Sequence, residues 1–224
     1  MPSKTPTTKA LIGQPVPHLQ GDQLVKGDVK YVADLRIQGM LWGKSLRSPI
    51  PHGTILSIDT SRAEQLSGVR AIITGMDTLG LRVGRQVMDI PICAEDVVRY
   101  VGERVAAVAA DTPDIAATAI DLIEVQYEPL PSADGIDEAI ADNAPILHPN
   151  LNSYRGLPSL VDSPSNVHIK TSWAHGNVGE GFSAAKHVVE GWYDTARMHQ
   201  AYMEPHACIV WMDDDQRIHV IANN

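Results

Sequence analysis

The chain has 224 residues, enough for one large or two small domains with real cores. Hydrophobic residues make up 44% and charged residues 20%, the balance of a globular protein. With 18 basic against 27 acidic residues, the formal charge of −9 and the lack of any Lys/Arg cluster argue against nucleic acid or an anionic membrane as partner, and no apolar run approaches the ~20 residues of a membrane span.

Residues 1–23 are polar and Pro-rich, with no apolar signal core and no twin-arginine pair, so they read as a flexible arm on a cytoplasmic protein. Regular structure is expected from about residue 24. After "YVADL" (31–35), the alternation in "MLWGKSLRSP" (40–49) predicts a strand ending at Pro49, and "TILSIDTS" (54–61) predicts another. "SRAEQLSG" (61–68) predicts a short helix, with Ser61 as cap, Glu64 completing a capping box and Gly68 as stop. "VRAIITG" (69–75) is rich in branched residues and reads as a strand, whereas 76–89 lacks periodicity and reads as a loop. "RVAAVAA" (104–110) is apolar on both parities, the pattern of a strand buried on both faces. Thr112 then caps a helix with Pro113 at its first position and Asp114 near its positive end, striped by Ile115, Ala119, Leu122 and Ile123. "EVQYEPLP" (124–131) returns as a strand ending at Pro129. The order is that of an α/β or α+β domain with mixed pairing over 24–131.

Six prolines fall between 129 and 164, so 132–169 reads as a surface linker, with one short helix over 136–141. Beyond it the spacing predicts a helix over 181–186, then three strands, with Asp213–Asp215 turning between the last two. Cys93 and Cys208 sit far apart among apolar neighbours and read as two reduced, buried thiols; without a CxxC, this chain is not expected to hold an iron–sulfur cluster or structural zinc.

The densest group of chemically capable residues is "HQAYMEPHACIV" (199–210). His199, Glu204 and His206 could in principle ligate a metal, but His199 falls on the other parity, Pro205 interrupts the ladder, and no HExxH helix is present. A structural role is favoured, with Glu204 buried and paired to Arg197 or to backbone amides. "GNVGEG" (176–181) is neither GxGxxG nor a P-loop and reads as a turn into a helix. Gly102 and Glu103, just before the buried strand, read as a tight turn with a solvated charge. Ser45, Ser48 and His52 show no nucleophile elbow.

Several longer stretches, in order, carry a resemblance. They are "VKGDVKYVADLRIQGMLWGKSLRSPIPHGTILSIDTSRAEQLSGVRAIITGMD" (25–77), "VRYVGERVAAVAADTPDIAATAIDLIEVQYEPLP" (98–131), "APILHPNL" (144–151) and "GNVGEGFSAAKHVVEGWYDTARMHQAYMEPHACIVWMDDDQRIHVIANN" (176–224). Together they resemble the N-terminal part of the molybdopterin-binding large subunit of the xanthine dehydrogenase/aldehyde oxidase family. The resemblance implies a hammerhead α+β mixed-sheet domain over 24–131, a link over 132–169, and the first strands of a molybdenum-cofactor domain from 170 to 224. It makes "HxxxMEPHA" an early marker of that second domain. His199, Met203, Glu204, Pro205 and His206 then form a structural motif on the cofactor side, as do Gly102 and Glu103, rather than metal ligands.

At the family's Ser-Thr-Gln step this chain reads Ile221-Ala222-Asn223, which makes Asn223 the near-cofactor residue, with a shorter reach than glutamine. "GERVAAV" has Arg104 where the family more often has proline, and the chain contains no Gly-Gly dipeptide of the kind found in the family's cofactor loop. The implied function is that of a component of a molybdenum-dependent oxidoreductase, with no catalytic residue in this chain. Most of the molybdopterin site would lie on the remaining part of the subunit, 2Fe-2S clusters on an iron–sulfur subunit and FAD on a further subunit. A non-catalytic assembly module or truncated remnant is the alternative from a different class.

Overall fold

The computed structural model describes residues 13–157 and 165–223. The expected arm up to residue 12, and the linker over 158–164, lie outside the described residues. Contacts divide the chain into two units, Gly39–Val189, and the residues up to Gln38 together with Glu190–Asn224.

In the first unit the strands are β1 (Trp42–Arg47), β2 (Gly53–Asp59), β3 (Val69–Thr74), β4 (Arg82–Val83), β5 (Ile90–Pro91), β6 (Val97–Val98), β7 (Arg104–Ala110) and β8 (Glu124–Pro129). Strand β7 is the centre of a three-stranded sheet ordered β1-β7-β3. It runs antiparallel to both neighbours, with Lys44 and Ile72 each opposite Val108. That placement accounts for its apolar character on both parities, because every one of its residues is buried or half-buried. A second sheet, β6-β2-β8, is also antiparallel. The α+β class is as expected, but the pairing, read as mixed, is antiparallel in every described pair. Among the described residues, helices that could serve as parallel crossovers are too few: α2 (Ser61–Glu64) is a single turn, and only α3 (Pro113–Leu122) is long.

Helix α3 starts as its sequence dictates. Thr112 is extended, its Oγ1 accepts the Ile115 N–H at 3.2 Å, and Pro113 occupies the first position. Its inner face packs Ala116, Ala119 and Ile120 with Ala63, Ala106, Val108, Ala110 and Ile123. A smaller cluster, Ala94, Val98 and Val105, lies under Ile50, Ile55 and Tyr127. Helix α2 departs slightly from expectation. Thr60 rather than Ser61 is the N-cap residue, without a side-chain capping bond of its own; Asp59 Oδ1 accepts the Ser61 N–H at 2.9 Å, and Thr60 Oγ1 donates to Glu64 at 2.6 Å. Gly68 does end that segment, at φ +93°, where a Cβ would also crowd Ile115 Cδ1 at 2.7 Å. The stretch 76–89, expected as pure loop, contributes β4, which pairs with β5 just beyond it over two residues, too short to leave a periodic trace.

Part of the Pro-rich stretch packs down on this unit. Helix α4 (Ile136–Ile140) forms where expected, Leu151 is buried, and Met88 N–H donates to Arg155 O at 2.8 Å. Gly156, at φ +86°, passes so close to Gln86 O that a Cβ would overlap it. Asn166 fastens the end of this run, donating to Ala139 O and Pro145 O and accepting from Leu147 N–H. Helix α5 (Val178–Ala184) begins three residues before the expected 181, because Asn177 Oδ1 caps it through the Glu180 N–H at 3.1 Å.

The second unit contains α1 (Gly21–Lys26), ended by Gly27 at φ +72°, a 3₁₀ turn over Val32–Asp34, and a hairpin of β9 (Cys208–Met212) and β10 (Ile218–Ala222). Helix α1 overlaps the end of the stretch expected as an arm. The turn at Asp213–Asp215 is as expected, closed by mutual hydrogen bonds between Asp213 and Arg217. Of the three strands expected after residue 186, only two form, and 187–207 has neither helix nor strand. Its apolar residues lack a facing sheet here: Trp192, Tyr193 and Met198 are almost fully exposed. Cys93 is fully buried, but Cys208, expected buried, is exposed.

Candidate functional site

His199, Met203, Glu204, Pro205, His206 and Asn223 all lie in the second unit, around one turn. Glu204 is half-buried, and its Oε1 accepts the Val32 N–H at 3.1 Å. The expected partner is therefore a backbone amide rather than Arg197. Val32 opens the 3₁₀ turn, so its N–H would otherwise be orphaned. The Tyr31 N–H just before it is taken by Asp34 Oδ2 at 3.1 Å.

Asn223 faces the same turn from the end of β10. Its Oδ1 accepts the Ala207 N–H at 2.7 Å and its Nδ2 donates to Pro205 O at 2.8 Å. Its own N–H donates to Ala207 O at 3.3 Å, carrying the β9–β10 ladder one step past Ala222 and Cys208. The remaining motif side chains face outward: His199, Met203 and His206 are exposed. Tyr202 lies between the two imidazoles, with ring centroids 5.1 Å from His199 and 4.7 Å from His206. His199 Nδ1 accepts from the Ala201 N–H at 3.0 Å, across the positive φ of Ala201. Among the described residues, no three His, Cys, Asp or Glu side chains converge as a metal site.

Gly102 and Glu103 belong to the other unit. Gly102 sits at φ +93°, a turn geometry that favours glycine. Glu103, read as a solvated charge, is instead 2% exposed. Its carboxylate accepts from the Arg99 backbone N–H and, at 3.3 Å, from the Arg99 guanidinium. Its main chain is equally occupied: Ser48 N–H donates to Glu103 O at 2.8 Å, and Gly102 N–H to Ser48 O at 2.8 Å. Burial pushes the Glu103 carboxyl above its ordinary range, while the Arg99 amide and charge pull it back.

Sequence reasoning missed the group of charges around this turn. Arg82 pairs with Glu95 at 2.7 Å, both largely buried, and Glu95 also accepts the Gly80 N–H. The Arg82 guanidinium lies 5.1 Å from the Tyr154 ring centre. Tyr154 Oη in turn shares a 3.1 Å hydrogen bond with His148 Nδ1. Burial, followed by the neighbouring Arg99 charge, lowers the His148 pKa. The one visible signal was the four-residue step from Arg99 to Glu103 beside the apolar run at 104–110.

Two family profiles match the chain. That of the "aldehyde oxidase and xanthine dehydrogenase, a/b hammerhead domain" covers residues 26–131, and that of the "molybdopterin cofactor-binding domain" covers 161–224. The chain belongs to the xanthine dehydrogenase/aldehyde oxidase family of molybdenum subunits. Within this family it is 39% identical over 192 residues to a probable xanthine dehydrogenase subunit of Bacillus subtilis, covering 85% of this chain and 24% of that one. It is 33% identical to the nicotine 6-hydroxylase large subunit of Paenarthrobacter nicotinovorans, covering 96% and 26% of the two chains. The crystal structure of a Cu,Mo-CO dehydrogenase superposes with a TM-score of 0.78 at 30% identity, over 93% of this chain and 27% of the other. The chain thus spans about a quarter of the length of these relatives, and carries the hammerhead domain followed by part of the cofactor-binding domain. No helix among the described residues is long and apolar enough to cross a membrane.

Proposed function

We propose that this chain is a component of a cytoplasmic molybdenum-dependent hydroxylase or oxidoreductase of the xanthine dehydrogenase/aldehyde oxidase type. Residues 24–131 serve as its hammerhead domain, 132–169 as the link and 170–224 as the opening of its cofactor domain. The complex acts on an aromatic, heterocyclic, aldehyde or thioester substrate. Further polypeptide supplies most of the molybdopterin site, an iron–sulfur subunit supplies 2Fe-2S clusters, and a flavin subunit supplies FAD. The molybdenum centre contributes the redox chemistry once bound.

This chain's part is architectural. The 199–206 motif with Asn223 shapes the cofactor side of the fold, and Gly102 and Glu103 shape the turn beside the hammerhead sheet. The segment offers one amide and the exposed side chains of His199, Met203 and His206, but no glycine-rich cradle for the pterin's phosphate. Most of the anchoring of the cofactor would then fall to the further polypeptide.

The observation that carries the reading is the unsatisfied apolar surface of the second unit. Trp192, Tyr193, Met198 and Met203 are almost fully exposed, and Val210, Met212, Ile218 and Val220 on the hairpin are more than half exposed. A surface of that kind marks an interface. The test is to purify the native protein without denaturation and measure its molybdenum, pterin and accompanying chains. Co-purifying subunits with stoichiometric molybdenum are expected. A compact monomer free of both would overturn the proposal.

A further inference from the structure

We infer that Asn223 acts as a positioning residue: its side-chain amide clasps the main chain of Pro205 and Ala207 and so fixes how the Met203–His206 turn is presented. The consequence toward a cofactor rests on the proposed function, but the clasp is built from this chain alone.

The geometry is that of a peptide group in miniature. Oδ1 takes the Ala207 N–H at 2.7 Å and Nδ2 gives a proton to Pro205 O at 2.8 Å, so the amide bridges two main-chain atoms on either side of His206. The backbone bond from Asn223 N–H to Ala207 O anchors the base of the side chain. Three bonds from one residue thus hold both flanks of His206. On the opposite side, Glu204 holds the turn through the Val32 N–H. Glu204 and Asn223 are both half-buried, whereas Met203 and His206 are exposed. The inward groups grip the main chain and the outward groups remain free to meet a ligand.

Proline explains why a clasp is needed. Pro205 has no N–H to give to a ladder, so the turn cannot be held by strand pairing at that position. Its carbonyl still needs a donor, and Asn223 supplies one. Asparagine is suited to this by its short reach, since one more methylene would displace the amide by about 1.5 Å. Glutamine at this position would be free to point elsewhere, so the difference in length is a difference in role. One amide proton and one lone pair of Asn223 stay uncommitted, but the plane that carries them is set by the two bonds already made.

The test compares the native protein with three variants: Asn223→Ala, Asn223→Gln and Asn223→Asp. Hydrogen exchange at the Ala207 amide, the ring-proton shifts of His206 beside Tyr202, and the global melting temperature are read together. Asn223→Ala and Asn223→Gln are expected to speed exchange at Ala207 about tenfold, the scale of one lost hydrogen bond, and to move the His206 resonances. Asn223→Asp keeps the acceptor, so it should restore protection at Ala207 while leaving Pro205 O without its donor. Global melting, set by the buried clusters of the hammerhead unit, should stay unchanged. Wild-type exchange and wild-type His206 shifts in Asn223→Gln would overturn the clasp. The molybdenum content of the wild-type assembly reports separately on the proposed function, so the two readings can fail independently.

Discussion

Strands β7 and β10 make an instructive pair. Both are short, apolar and antiparallel to their partners. Strand β7 has a neighbour on each edge, and four of its seven residues are buried. Strand β10 has one neighbour among the described residues, and four of its five residues are exposed, including Ile218 and Val220. Apolar sequence therefore does not identify a core. What separates the two strands is whether helices and second neighbours arrive to cover them: α2 and α3 do so at β7, and nothing among the described residues of its own unit does so at β10. The first unit buries clusters of its own, whereas the hairpin has hydrogen bonds, the Trp211–His219 stack and contacts of β9 with the 3₁₀ turn, and, under the proposed function, further polypeptide.

The sharpest way to break this contrast is at the charges inside the first unit. Glu103→Ala removes the buried carboxylate from the Arg99 guanidinium, which is only 11% exposed and keeps Val97 O and the exposed Asp96, and should cost about 3–5 kcal/mol in urea unfolding. A loss below about 1 kcal/mol would mean that water reaches the pair in solution. Next in size is Ile120→Ala on the inner face of α3, expected to cost about 2–5 kcal/mol by the same measurement. Removing the cap with Thr112→Ala should cost about 1 kcal/mol, and Thr112→Ser should recover most of it.

Acid provides a gentler probe. The folded pKa of His148 is depressed from the ordinary 6.5, so the folded unit holds fewer protons there than the unfolded chain. Its contribution to stability is present above pH 6.5 and is lost as pH falls through the lower folded value. The groups facing it are Arg99, Arg82, Asp89 and His168, and protonation adds a further cation beside two arginines. Stability measured downward from pH 7 should decline in that window, and His148→Gln should flatten the decline. The smallest effect is expected in the hairpin. Val210→Ala should change the stability of the chain alone by less than about 0.5 kcal/mol, while lowering the yield of assembled complex. A large loss in the isolated chain would erase the contrast between the strands.

The sequence made some of this legible and concealed the rest for physical reasons. Helix α3 was readable from Thr112, Pro113 and its apolar stripe, because caps and periodicity are local. Strand β7 was readable from its double parity. The pairings of β4 and β5 were not, since two residues cannot express a period. Antiparallel pairing throughout was also hidden, because strand direction is decided by connections rather than by the strands. The branched and aromatic residues of 187–199 resemble a strand, but a strand needs a neighbour to pair with, and none forms here. Glu103 looked like a surface charge because its partner Arg99 stands four residues away, a spacing that also suits an exposed pair. At the candidate site, the presence of a partner for Glu204 was deducible from cost alone. That the partner is the amide of Val32, 172 residues distant, was not.

The two thiols differ in a way that has a practical use. Cys93 is sealed inside the hammerhead unit, and burial pushes its thiol above the usual range, so alkylating reagents should pass it by. Cys208 stands in the open directly across the ladder from Ala222, one step from the clasping asparagine. The unmodified protein thus offers a single attachment point for a spin label or fluorophore, already placed beside the turn that Asn223 holds.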